Sequence, residues 1–182
     1  MDYIKLSKTM SYALRHAPWE YELEMDEGGW VSIIQLLHSL QEEQKWSDVK
    51  AENIYYVAKT SDKGRFEIAD SKIRALYGHS IPLRIIKAPG EPPQLLYHGT
   101  SRQEADAIMA NGLEPRGRQY VHMAVDPKMA LQVGKRRDNK PVLLTIKARE
   151  ARQDGVAFYK GNDLVWLAEF VVAKYIDIEE KN

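Results

Sequence analysis

The sequence predicts an α+β protein in two lobes. Three observations carry that expectation. The chain has 182 residues, 44% of them hydrophobic and 29% charged, the balance of a globular protein long enough for one medium domain or two small ones. Lys87-Ala88-Pro89-Gly90-Glu91-Pro92-Pro93 sets three prolines and a glycine in a row that neither a helix interior nor a central strand tolerates. It divides the chain into residues 1–88 and 94–182. The hydrophobic periodicity also differs on either side: helices and then two strands before this segment, strands alternating with helices after it.

In the first lobe, Tyr3, Leu6, Met10 and Leu14 share one helical face, with Asp2 as the cap. Pro18 stops that helix soon after Arg15-His16. Ser32-Ile33-Ile34-Gln35 has the form of a capping box and opens a second helix that buries Ile33, Leu36, Leu37 and Leu40. A third helix is expected from about Asp48 to Lys59, with Ile54, Val57 and Ala58 inward. Arg65-Phe66-Glu67-Ile68 alternates charged and apolar residues as a half-buried strand does, and Ala69–Lys72 turns the chain into a second strand from Ile73. Three helices and a β-ribbon describe a winged-helix-like unit.

In the second lobe, Leu95–His98 is an expected strand. Ser101-Arg102-Gln103-Glu104 is another capping box, whose helix carries Ala105, Ile108 and Met109 and closes at Asn111-Gly112. Val121–Ala124 reads as a short strand, Asp126-Pro127 as a helix start, and Val142–Ala148 and Leu164–Val172 as the remaining strands.

Composition narrows the chemistry. With no cysteine, thiolate metal sites, disulfides and cysteine nucleophiles are excluded, and a reducing, cytoplasmic setting is the expectation. The apolar runs are too short to span a bilayer, and Met1–Lys5 lacks the order of a signal peptide. The five histidines are His16, His38, His79, His98 and His122, none at zinc-ligand spacing, and neither a P-loop nor G-x-G-x-x-G occurs. Net charge is zero. Yet Pro115–Arg152 holds ten Lys/Arg against three acids, a local excess suited to a polyanion, or to a solvated basic face.

Four constellations bear on function. Arg15-His16 at a helix C-terminus complements the dipole, or forms a phosphate clamp in which Arg binds oxygens and His moves a proton. Arg65, beside inward Phe66, is expected to point outward from its sheet. In His98-Gly99-Thr100 a strand end meets a helix start. Glycine there permits close ligand approach, and the helix N-terminus favours an anion such as a pyrophosphate. Alternation places Arg118, Tyr120 and His122 on one side of a strand.

Taken in order, these pieces resemble the KptA-like RNA 2′-phosphotransferases. The resemblance spans nearly the whole chain through Leu6-Ser7-Lys8, Leu14-Arg15-His16-Ala17-Pro18, Gly28-Gly29-Trp30-Val31, Arg65-Phe66-Glu67-Ile68, Ile73-Arg74-Ala75, Gly78-His79-Ser80, Leu96-Tyr97-His98-Gly99-Thr100, Val121-His122, Val133-Gly134, Lys140-Pro141-Val142 and Val165-Trp166-Leu167. It implies a winged-helix-like RNA lobe and a C-terminal ADP-ribosyltransferase-like lobe. It implies NAD as co-substrate, no metal, and a 2′-phosphorylated, tRNA-like RNA as partner, with no membrane and a monomeric protein. The essential phosphate-site residues fall on Arg15, His16, Arg65 and Arg118. The NAD side falls on His98, Gly99, Thr100 and His122, with Val165 at the third position of the transferase triad. Departures occur at Tyr77, where the family often has Gln, at Tyr120, where it usually has His, and at Asp138-Asn139 before Lys140-Pro141.

The implied reaction has two steps. The RNA 2′-phosphate attacks the anomeric carbon of the nicotinamide ribose. A neighbouring ribose hydroxyl then attacks phosphorus, and the RNA 2′-oxygen leaves. An anionic nucleophile needs no general base, and a carboxylate beside it would repel it, so a hydrophobic residue at Val165 suits the chemistry. Two alternatives remain open: ADP-ribosylation of a terminal nucleic-acid phosphate, and a non-catalytic RNA-binding module.

Overall fold

Helix-period apolar residues and one small three-stranded sheet organise the first 87 residues of the computed structural model, which describes residues 1–179. The chain forms two compact units, the first ending at Lys87 and the second starting at Ala88.

In the first unit, α1 (Tyr3–Arg15) begins where Asp2 accepts a hydrogen bond from the Lys5 amide at 3.0 Å, and Leu6, Met10 and Leu14 lie fully buried along it. A 3-10 turn, Pro18–Tyr21, follows. Helix α2 (Ile33–Glu42) and helix α3 (Ala51–Thr60) pack Ile33, Leu36, Leu40, Ile54 and Val57 against that face. Strands β1 (Val31–Ser32), β2 (Phe66–Ala69) and β3 (Lys72–Ala75) form an antiparallel sheet in the order β1-β3-β2, adding Phe66 and Ile73 to the core.

Three local expectations change here. Ser32 precedes α2, but its side chain makes no capping bond. Val31–Ser32 is a strand paired with β3, and the Ile33 amide donates to the Ser71 carbonyl at 3.1 Å. Helix α3 starts later than Asp48 because a 3-10 turn, Gln44–Trp46, and the Val49 amide bond to Trp46 take up that stretch. Arg65 lies just before β2, so strand alternation does not set its direction.

The second unit is a six-stranded antiparallel sheet with helices. Its elements are β4 (Leu96–Thr100), α4 (Arg102–Asn111), β5 (Val121–Ala124), α5 (Pro127–Gly134), β6 (Val142–Ile146), α6 (Ala148–Gln153), β7 (Phe158–Lys160), β8 (Val165–Ala168) and β9 (Ile176–Ile178). The strand order is β7-β8-β5-β4-β6-β9. Leu96, Met123, Leu144 and Ile146 form one core with Ala105 and Ile108 of α4. Alternate residues Tyr97, Ala124 and Leu143 meet Ala130 and Leu131 of α5 on the other side, as a period of two requires when both faces are covered.

Ala148 belongs to a helix rather than to the preceding strand. The Lys147 amide bonds to Tyr175, and the helix-favouring run Ala-Arg-Glu-Ala-Arg-Gln buries Ala148 and Ala151 completely. The expected Leu164–Val172 strand is only Val165–Ala168, with Val171 forming a separate bridge to Leu113. Strands β7 and β9 have three residues each, too short for a periodicity signal. Among the described residues no helix is long and apolar enough to cross a membrane.

Candidate functional site

In the first unit the expected site residues are tied together by polar contacts between distant parts of the sequence. Helix α1 ends at Arg15, with His16 as its C-cap. The His16 Nδ1 lies 2.7 Å from the Ser80 hydroxyl, and the Ser80 amide donates to the Arg15 carbonyl at 2.9 Å. With Ser80 donating to Nδ1, the imidazole proton sits on Nε2, where a donor can face a ligand. Arg65 does not simply project outward. Its Nη1 donates to the hydroxyl of Ser7 on α1 at 3.3 Å, which draws its half-buried guanidinium onto the helix that carries Arg15.

Tyr77 joins the same group. The Arg15 guanidinium carbon stands 4.9 Å from the centre of the Tyr77 ring, and the Tyr77 hydroxyl donates to the Lys63 carbonyl at 3.1 Å. Gly78 follows at φ +89°, where a Cβ would also sit 3.4 Å from Arg15 Nη1, so the backbone demands glycine. His79 is buried. Burial first, then the charges of Lys87 and Arg15, push its pKa down to about 3, so the ring is neutral.

Arg74 provides a contrast. It makes an ion pair with Glu67 at 2.6 Å, stacks on Trp30 at 4.4 Å and donates to the Gly28 carbonyl. These contacts tie it into the fold.

In the second unit the register pair between β4 and β5 is Tyr97–Ala124, whereas β4 and β6 pair at five positions. Next to the Tyr97–Ala124 pair, a side chain supplies the cross-strand bond: His98 Nδ1 lies 2.8 Å from the His122 carbonyl oxygen. A carbonyl only accepts, so Nδ1 carries the proton and Nε2 is left as an acceptor. Burial lowers the His98 pKa, which keeps the ring neutral. A neutral imidazole with an accepting Nε2 suits a ribose hydroxyl, so this donor and acceptor set fits NAD.

Arg118 reaches His122 Nδ1 from Nη1 at 3.4 Å. It does so from the irregular segment before β5, whereas Tyr120 is buried with its ring 5.4 Å from that of Tyr159. The expected alternation therefore does not hold, although Arg118 and His122 still meet. Val165 opens β8, pairs with Ala124 and is buried.

Gly99 and Thr100 are the last residues of β4, paired with Leu143 and Val142, and α4 starts two residues later. A Cβ on Gly99 would collide with the carbonyl oxygen of Ala130. The close approach this glycine permits is that of α5. The first amide of α4, on Arg102, donates to Asp138 at 3.3 Å, and the Glu104 amide donates to Ser101 at 3.2 Å. The chain thus supplies its own carboxylate at that helix end, and Arg102 and the Lys140 amide hold the Asp138 pKa below the usual carboxylate range. In the basic segment, Arg116, Lys147 and Arg152 are engaged with Glu104, Asp177 and Glu91. Among the described residues no group of three His, Asp or Glu could hold a metal ion.

In one unit the structure therefore sets Arg65 against the helix that ends in Arg15 and His16, and in the other it links His98, His122 and Arg118 by hydrogen bonds. Sequence reading did not assign roles to Ser7, Ser80 and Tyr77. The first two stand in the Leu-Ser-Lys and Gly-His-Ser motifs, the signal that could have found them.

A profile described as RNA 2′-phosphotransferase, Tpt1 / KptA family, matches residues 2–170. A probable RNA 2′-phosphotransferase of Acetivibrio thermocellus is 58% identical over 179 residues, covering 98% of each chain. One of Bacillus thuringiensis is 51% identical, covering 98% of this chain and 96% of the relative. One of Pyrococcus horikoshii is 39% identical, covering 92% and 93%.

Proposed function

The chain belongs to the Tpt1/KptA family of RNA 2′-phosphotransferases, and from that premise we propose that Arg15, His16, Arg65 and Arg118 carry its NAD-dependent transfer. The family acts on 2′-phosphorylated RNA with NAD as co-substrate. The observation that carries the assignment is the tethering of Arg65 to Ser7 on α1 and of His16, at the end of α1, to Ser80, which sets Arg65 against the helix that ends in Arg15 and His16.

In this reading residues 1–88 are a winged-helix-like RNA lobe, supported by three helices followed by the β2–β3 hairpin, and residues 94–182 are an ADP-ribosyltransferase-like lobe. His98, Gly99, Thr100, His122 and Val165 serve the NAD side. His98 accepts from a ribose hydroxyl through Nε2, and buried Val165 keeps a carboxylate away from the anionic nucleophile. NAD supplies an electrophilic anomeric carbon and a leaving nicotinamide.

Arg15 orients the RNA phosphate through its paired N–H groups. Arg65 and Arg118 stabilise charge gathering on five-coordinate phosphorus, and His16 delivers a proton to the departing 2′-oxygen. The reaction needs no metal, the protein acts as a cytoplasmic monomer, and its RNA is tRNA-like.

The test is product analysis with NAD and a short RNA carrying an internal 2′-phosphate, in the presence of a chelator. The expected products are 2′-hydroxyl RNA, nicotinamide and ADP-ribose 1″,2″-cyclic phosphate. A stable ADP-ribosyl group on a terminal phosphate, or no consumption of NAD, would overturn the reading.

A further inference from the structure

We propose that Tyr77 is a positioning residue for the transfer, one that fixes where the Arg15 guanidinium sits relative to Arg65. The proposal rests on the reading that Arg15 and Arg65 bind the RNA phosphate.

Arg15 ends a helix, and a long side chain at a helix end samples many rotamers unless something holds it. The available holds differ in consequence. A carboxylate partner would fix the guanidinium by occupying its N–H groups and neutralising its charge, as Glu67 does for Arg74 at 2.6 Å. An aromatic face attracts the same cation through its quadrupole and leaves the N–H edge and the charge in place. The Arg15 guanidinium carbon stands 4.9 Å from the centre of the Tyr77 ring.

The other end of Tyr77 is equally specific. Its hydroxyl donates to the Lys63 carbonyl at 3.1 Å, two residues before Arg65, and the adjacent Leu76 amide donates to the Arg65 carbonyl at 2.9 Å. One side chain thus touches the guanidinium of Arg15 and the backbone that leads into Arg65. Gly78, at φ +89° with its would-be Cβ 3.4 Å from Arg15 Nη1, lets the chain turn tightly beneath the arginine. Two cations that must approach one anion repel each other before it arrives, so a preorganised phosphate site requires both to be held in place.

The test is a double-mutant cycle read in steady-state kinetics with 2′-phosphorylated RNA and NAD, on wild type, Tyr77→Leu, Arg15→Ala and the double variant. A cation–π contact implies that Tyr77→Leu lowers kcat/KM for RNA between about twofold and thirtyfold, with the KM for NAD unchanged. Arg15→Ala lowers it further, and adding Tyr77→Leu to Arg15→Ala costs nothing more. Tyr77→Phe, which keeps the face and loses only the bond to Lys63, retains most of the activity. Tyr77→Met provides a second non-aromatic variant should the leucine protein fail to fold.

Additive losses in the double variant, or a Tyr77→Leu enzyme equal to wild type while Arg15→Ala is impaired, overturn the positioning role alone. An Arg15→Ala enzyme with unchanged kcat/KM for RNA overturns the underlying phosphate assignment instead.

Discussion

The two units of the molecule hold their functional side chains by different means. In the first, the contacts are between side chains or turns far apart in sequence: His16 with Ser80 across 64 residues and Arg65 with Ser7 across 58. In the second, the corresponding groups sit on or beside adjacent strands, with His98 and His122 only 24 residues apart and Arg118 and His122 only 4. A site held by side chains is adjustable and vulnerable to single polar changes. A site held by a ladder is vulnerable chiefly where backbone packs on backbone.

The largest effects should fall on the arginines and not on the scaffolding. In the proposed mechanism Arg65→Ala removes a donor to developing charge, and it is expected to slow release of 2′-hydroxyl RNA by about 10²–10³-fold, with the urea midpoint little changed. Stopped single-turnover assays read the first quantity and denaturation the second.

Next comes a change that separates the units by stability. Gly99→Ala forces a Cβ into the Ala130 carbonyl, and overpacking against backbone with no flexible end to yield costs about 3 kcal/mol. Urea unfolding should record that loss. An unchanged midpoint would mean that the β4–α5 contact is not rigid.

Acid should expose the first unit through His79. Its pKa in the fold, about 3, lies below the ordinary value of 6.5, so the unfolded chain binds the proton more readily. The stability contributed by the neutral ring is present above about pH 6.5 and is lost as pH falls from there toward 3, by up to about 1.4 kcal/mol per pH unit. Urea midpoints of wild type and His79→Gln at pH 7, 6 and 5 should diverge, with the variant showing the shallower decline. Parallel declines would assign the acid lability elsewhere.

The smallest effect belongs to Ser80→Ala, which releases His16 from one hydrogen bond worth about 1 kcal/mol. The expected result is a fall in kcat of about fivefold with the RNA KM nearly constant. A loss confined to KM would make Ser80 a binding group.

Much of this was legible in the sequence for physical reasons that differ by element. Leu6, Met10 and Leu14 announce α1 because a helix with one buried face must repeat apolar residues at its own period. Asp126-Pro127 announces α5 because proline suits a first helical turn. Strands β7 and β9 were invisible because three residues give no period. Ser32 misled because it pairs with Lys72 in the sheet and its side chain makes no capping bond.

At the candidate site, the chemistry of single residues was readable and their partnerships were not. Arg15, His16, Arg65, Arg118, His98 and His122 carry obvious chemistry. Nothing local shows that Ser80 meets His16 or that Tyr77 meets Arg15, since long-range contacts are products of the whole fold. Gly99 was the instructive case: glycine does signal a close backbone approach, but the approaching backbone is that of α5.

The most direct measurement is a single-turnover reaction of the Arg118→Ala protein with NAD and 2′-phosphorylated RNA, following nicotinamide and RNA species together. If Arg118 shares with Arg65 the role of stabilising the second step, nicotinamide is released and 2′-phospho-ADP-ribosylated RNA accumulates, as it should with Arg65→Ala. An Arg118→Ala protein that binds both substrates yet releases no nicotinamide would contradict that shared role.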